Sequence, residues 1–261
     1  MKNIIKSIWY EILRSKFMIR IYLLFVGVMV LMVLLNLDTM KGKGISYFLA
    51  DNPTSTYLLS FFVLAFIVGI ISGEDYKDKV ANYEILSGHS RISVFFTRSL
   101  MGILVGSFLC VVLSFVILIT GCILAGWGDS LSLGDVIVRQ LLFFFPFMRL
   151  GAFLVVLTFL IKNPHIIMAV GFVIGNAGMM LQEMFGIPNS LYISIFNMGL
   201  LTEYGGWSIY NIDPGLGIVH YNAYDSSLTI GLVVGTVVVS LVMTAFYLFM
   251  GYALFRRDEL N

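Results

Sequence analysis

The amino-acid sequence predicts an all-α, polytopic membrane protein, and three observations carry that prediction. The chain of 261 residues is 59% hydrophobic, only 12% charged and has a mean hydropathy of +0.95. A water-exposed surface at this length needs more charge. The apolar residues also fall in runs of roughly 20, the length that crosses a ~30 Å hydrocarbon core. Lastly, the basic residues gather in alternate connections, as the orientation rule for multi-pass chains requires.

Six spans are expected, at 21–37, 57–73, 95–125, 140–161, 166–185 and 228–255. The first follows a basic start and mimics a signal peptide. The "NLDTMKGKG" after it has no small-x-small cleavage pattern, so it reads as a retained span. The third and sixth runs exceed the minimum and predict helices that tilt or project from the bilayer. In the fourth, Pro146 predicts a kink that frees a carbonyl. A re-entrant course for the fourth or fifth segment is compatible with its length.

Twelve of the sixteen Lys and Arg fall on one side of this arrangement. Lys2, Lys6, Arg14, Lys16 and Arg20 precede span one; Lys77, Lys79, Arg91 and Arg98 follow span two. Lys162 follows span four, and Arg256 and Arg257 follow span six. Lys41, Lys43 and Arg139 lie opposite, and Arg149 lies within a span. Both termini are therefore expected in the cytoplasm. Over 1–20, Ile5, Ile8, Trp9, Ile12, Leu13 and Phe17 recur at three- and four-residue steps, with Lys2, Lys6, Glu11, Arg14 and Ser15 mostly opposite. That pattern suits an interfacial helix in the headgroup layer, and equally an ordinary positive-inside anchor. The pairs Gly69/Gly73, Gly102/Gly106, Gly171/Gly175 and Gly231/Gly235 are read as close helix packing.

Between spans two and three lies "EDYKDKVANYEILSGHSR", residues 74–91, a charged segment in apolar surroundings. Tyr76, Val80, Tyr83 and Leu86 share one helical face. Asp75 and Lys79 form an i,i+4 acid-then-base pair. Glu74 and Asp75 suit a helix start, Gly88 a helix stop, and Ser90 a cap for the next helix. Two readings stand open: a solvated juxtamembrane loop, or a docking helix whose aromatic face fills a partner's groove.

The stretch "GEDYKDKVANYEILSGHSRISVFFTRSL" resembles the first cytoplasmic loop of type-2 ATP-binding-cassette transporter permeases. Glu74, Asn82, Ser87, Gly88, Ser90 and Arg91 match that loop's pattern; His89 departs from it, and a glycine common early in the helix is missing. The motif match covers about residues 72–98, and the layout matches along the whole chain. Small Gram-positive permeases that export or exclude peptide antibiotics look most similar. The resemblance implies one permease domain over 1–261, with an interfacial helix at 1–20, a coupling helix and a re-entrant outer segment at 186–227. It also implies that Glu74, Asp75, Tyr76, Asp78, Lys79, Asn82, Tyr83, Leu86, Ser87, Gly88, Ser90 and Arg91 face a separate ATPase subunit. ATP and Mg would reside in two such partners, beside a second permease copy or paralogue, at a bacterial plasma membrane. The chain has no GxxxxGK[ST] loop and is not expected to be an enzyme by itself.

Arg149 interrupts "LLFFFPFMRLGAFLVVLTFLI". A cation at mid-bilayer costs at least ~2.5 kcal/mol, so it must face protein or water. It is read as a structural side chain or as part of a substrate path. The outer segment holds Tyr192, Phe196, Tyr204, Trp207, Tyr210, Tyr221 and Tyr224 with Glu203, Asp213 and Asp225, and no Lys or Arg. It suits an aromatic belt, or an acidic lip for cationic amphipathic peptides. His89, His165 and His220 show no ligand spacing, and no GxSxG occurs, so neither a metal centre nor covalent catalysis is indicated. The implied function is ATP-driven export of an amphipathic or hydrophobic substrate, most plausibly an antimicrobial peptide. Rivals are an ion or small-drug exporter and a non-transporting scaffold or sensor.

Overall fold

Ser15 breaks the start of the chain into two helices, α1 (Lys2–Arg14) and α2 (Lys16–Leu35). Its hydroxyl accepts a hydrogen bond from the Met18 N–H at 3.3 Å, as an N-cap does. This N-terminal helix is thus shorter than the interfacial helix expected over 1–20, and the first helix long and apolar enough to cross a membrane begins at residue 16. The structure, a computed structural model, describes residues 2–51, 53–74, 84–161, 163, 166, 167, 169, 209–213, 217–221 and 230–258.

After α2 come α3 (Leu37–Met40), α4 (Gly44–Asp51) and α5 (Pro53–Val68), which widens into a π-helical turn over Gly69–Glu74. Then follow α6 (Arg91–Ala125), α7 (Leu133–Leu142), α8 (Phe144–Ile161) and α9 (Ile230–Asp258). Among the described residues the regular elements are helical apart from a hairpin of β1 (Ile209–Asp213) and β2 (Gly217–Tyr221), antiparallel with Tyr210 opposite His220. The sequence reading gave this outer region no strands.

Four stretches are long and apolar enough to cross a membrane: Lys16–Leu35, Arg91–Ala125, Leu133–Ile161 and Val233–Arg257. Phe62–Ser72 is a shorter apolar helix, and most of the expected fifth span lies outside the described residues. With 35 residues, α6 is about 52 Å long at 1.5 Å per residue, well beyond a hydrocarbon core. The kink expected at Pro146 is a one-residue break at Phe143 between α7 and α8, across which i to i−4 bonds continue from Phe143 to Arg139 and from Phe147 to Phe143. Pro146 sits in the first turn of α8, where its missing N–H costs least.

Side-chain pairings fix the directions. A Cβ on Gly106 would meet Leu64 at 2.9 Å, and one on Gly102 would meet Ser72 at 3.0 Å, so α5 runs antiparallel to α6. This bears out close packing at that glycine pair. Tyr22 donates to the Leu109 carbonyl at 3.1 Å, and Ile45 lies against Gly121, so α2 runs with α6. Phe95 packs on both Phe159 and Phe255, each at 5.4 Å, so α8 and α9 run parallel to each other and opposite to α6. The core centres on α8, where Phe147, Leu150, Ala152, Leu154 and Val155 are buried. Leu24, Leu35, Phe108, Ile123 and Phe249 are exposed on the outside, the apolar surface a membrane would cover.

One end of the bundle therefore holds α1, the start of α6 and the ends of α8 and α9, and with them Arg14, Lys16, Arg20, Arg91, Arg98, Arg256 and Arg257. At the other end two glycines let two loops touch. The N–H groups of Ile45 and Ser46 donate to the Gly126 and Trp127 carbonyls at 3.0 and 2.9 Å. Gly44 and Gly128 have φ of 78° and 83° there, and a Cβ on either would strike the facing backbone.

Candidate functional site at the basic end

The chain enters α6 through a tightly specified turn. Gly88, at φ 96°, donates its N–H to the Ile85 carbonyl at 3.0 Å, and His89 donates to the Glu84 carbonyl at 3.2 Å. These two bonds are the Schellman pattern that closes a helix on a left-handed glycine. The Ser87 hydroxyl also bonds the Glu84 carbonyl, at 2.7 Å. Ser90 then caps α6, accepting from the Ser93 N–H at 3.3 Å. The stop at Gly88 and the cap at Ser90 stand as expected. Both residues thus have complete local roles, and so does Ser87.

The turn is tied down by an ion pair absent from the sequence reading. Arg98, two turns into α6, donates from Nε and Nη2 to the two carboxylate oxygens of Glu84, at 2.9 and 2.8 Å. The pair is largely buried, with side-chain exposures of 8% and 16%. A planar fork on a carboxylate fixes orientation as well as distance. The sequence signal was a cation inside an apolar run, since such a residue needs a counter-charge nearby. Arg98 was counted only for orientation.

A third element completes the junction. Ile4 and Ile8 of α1 are buried, while its Ile5, Trp9 and Leu13 are exposed. The helix thus has one apolar stripe toward the bundle and another outward, as an interfacial support would. Glu11, one turn after Ile8, is exposed. Burial, reinforced by the negative charge of Glu11, holds the Glu84 carboxyl above the ordinary glutamate range even with Arg98 attached. Three residues before Arg98, Phe95 meets Phe159, Tyr252 and Phe255 at 5.4–5.5 Å, so α6, α8 and α9 share one aromatic cluster. A displacement at the turn has a packed route into three helices.

Of the residues assigned to the coupling segment, Leu86, Ser87, Gly88, Ser90 and Arg91 belong to this turn. Leu86 is 82% exposed, an apolar side chain on the surface of the turn. Glu74 ends the π-helical turn after α5. Asp75, Tyr76, Asp78, Lys79, Asn82 and Tyr83 lie outside the described residues.

Arg149 sits elsewhere, on α8 and 1% exposed, the largest fully buried side chain among the described residues. It faces protein, with Tyr247 of α9 in electrostatic reach. Thr236, Ser240 and Thr244, one turn apart on α9, are buried as well.

No protein-family model, curated protein or solved structure matches this chain. The geometry of the basic end and the chemistry of the sequence therefore carry the functional reading.

Proposed function

We propose that this chain is the membrane-spanning permease subunit of an ATP-driven exporter of the type-2 ATP-binding-cassette kind. The observation that carries the reading is the junction at the basic end. There the close of the 74–91 segment is clamped to α6 by Glu84 and Arg98, beside the interfacial helix α1. A lever needs a rigid joint, and a buried bidentate pair behind a Schellman turn is one. Leu86, exposed on that turn, offers a partner an apolar anchor. In this reading the segment docks on a cytoplasmic ATPase, whose closure on ATP and Mg tilts α6 and, through the Phe95 cluster, α8 and α9.

The gathered basic residues support a cytoplasmic basic end, with both termini inside a bacterial plasma membrane. The reading takes six spans, and the shared direction of α8 and α9 toward the basic end supports a returning span between them. The chain lacks a phosphate loop, so hydrolysis belongs to two partner ATPases. A second permease copy or paralogue supplies the other half of the path. The substrate in this reading is a hydrophobic or amphipathic molecule, an antimicrobial peptide first, with an ion or small drug as the alternative.

Copurification tests the reading. An ATP-binding-cassette ATPase is expected to accompany the wild-type chain and to be lost with Leu86→Glu, while expression and helicity persist. A chain that folds and binds no ATPase is a scaffold or sensor. Peptide tolerance in cells, compared with an ATPase-dead partner, tests the substrate; equal tolerance removes peptide export.

A further inference from the structure

α9 turns one stripe toward α8. On it, Tyr247 packs on Phe153 at 5.5 Å, a Cβ on Gly251 would meet Val155 at 3.7 Å, and Phe255 packs on Phe159 at 5.8 Å. Thr244, Ser240 and Thr236 continue that stripe away from the basic end, while Val234, Val238, Val242 and Phe246 face outward. The contacting pairs lie 94–96 positions apart in sequence, and i to i−4 bonds run on across Phe143. The same offset sets Thr244 level with Arg149, and Thr236 level with Gln140 of α7. Tyr247 and Phe255 make the stripe aromatic toward the basic end; away from it the stripe is polar. Three side chains of this polar half have no hydrogen-bond partner among the described residues. They are Gln140, at both amide atoms, and Ser240 and Thr244, at their hydroxyls. Their exposures are 0%, 0% and 5%. Leaving buried polar groups unpaired is costly, and in folded proteins such groups ordinarily hold ordered water.

We propose that this half of the contact is a hydration site, a short file of internal water held by Gln140, Ser240 and Thr244 and ending blind at Tyr247. Water fits the donor set, and a small ion does not. Gln140 presents an acceptor and two donors, and each hydroxyl presents both, so the occupant must donate as well as accept. A cation would leave the amide N–H groups unpaired, and an anion would leave the Gln140 Oε1 unpaired. Ser240 and Thr244 are one turn apart, about 6 Å along the axis, a gap that two hydrogen bonds through one water span. The file brings solvent to the level of Arg149 inside a single bundle. It concerns the helices of this chain alone and holds whether or not an ATPase docks.

Two measurements on the full chain in lipid nanodiscs test it. Thr244→Val keeps the shape of the side chain and removes the hydroxyl; Gln140→Met keeps the length and removes the amide. In a hydrated seam each variant loses hydrogen bonds, and the thermal midpoint is expected to fall by about 2–6 °C. In a dry seam each removes an unpaired polar group, and the midpoint rises. A rise, or no change, in both variants overturns the proposal. The second measurement reads the water itself. Ser240→Cys, in the otherwise unchanged chain, is irradiated in heavy-oxygen water, and oxygen uptake is located by mass spectrometry. Cys110 of α6 is the internal control: it is 0% exposed, and its thiol donates to the Ser60 carbonyl at 3.1 Å. Label at position 240 is expected to exceed that at Cys110 several-fold, because thiol oxidation follows access to solvent. Label no greater than at Cys110 overturns the proposal. Neither measurement needs an ATPase, so this failure is distinct from failure of an ATPase to copurify.

Discussion

Gly121→Ala is the sharpest test of the helix packing, because a neighbouring glycine provides its control. Gly121 lies on α6 with the side chain of Ile45, from α4, directly across it. An added Cβ would overlap Ile45 along its length, reaching even the Ile45 Cβ at 2.9 Å. Ile45 is fully buried and β-branched, so it has no rotamer that clears the space. A Cβ on Gly106 meets chiefly the terminal Cδ1 of Leu64 at 2.9 Å, which a small rotation relieves. Replacing a mid-helix glycine by alanine stabilises by about 0.5–1 kcal/mol, and overpacking costs about 1–3 kcal/mol. The difference predicts that Gly121→Ala destabilises by about 1–2 kcal/mol, while Gly106→Ala stays within about 1 kcal/mol of wild type. Denaturant titration of the refolded chain in mixed micelles, followed by Trp fluorescence, measures both. If Gly121→Ala proves as stable as Gly106→Ala, α4 does not lie against α6 as described.

Three further outcomes are expected. Arg149→Ala should cost about 2–5 kcal/mol by emptying a buried site, and Arg149→Met, which refills most of that volume, should recover more than half. Equal losses in the two variants would mean that the guanidinium, and not its stem, holds α8 to α9. Gly88→Ala forces an L side chain to φ 96° and should cost about 1–2 kcal/mol, shown as lost helicity and earlier proteolysis near residue 88. The Glu84 carboxyl, raised above 4.5, binds its proton more tightly in the fold than in the unfolded chain. Its stabilising contribution is therefore complete below the ordinary value and fades as pH rises through the raised one. Wild type should lose stability relative to Glu84→Gln over that climb, and a difference that is flat with pH refutes the burial argument.

How much could be read in advance depended on whether a signal was local. The long runs in α2, α6 and α9 announce themselves, because twenty apolar residues need no partner to be recognised. Gly88 and Ser90 were legible too, since caps and stops act within five residues. Ser15 was missed as a boundary although it is a capping residue, because the apolar periodicity continues through it to Phe17. The hairpin at 209–221 carries no alternating pattern strong enough to outweigh its aromatic, membrane-belt composition. The Glu84–Arg98 pair is fourteen residues apart across a turn and the start of a helix. Only folding brings those groups together, whereas Glu11, which periodicity placed on the polar side of α1, is exposed as that pattern implies. Arg149 was recognisable as buried from its neighbours, but its place beside Tyr247 needed the parallel packing of α8 and α9.

The most direct measurement is site-specific crosslinking from position 86, with a photoreactive residue in place of Leu86, in native membranes with and without ATP. The account predicts a covalent adduct to a phosphate-loop ATPase on the cytoplasmic face, with a yield that changes when nucleotide is bound. An adduct only to lipid, or labelling of position 86 from the outer face, contradicts it.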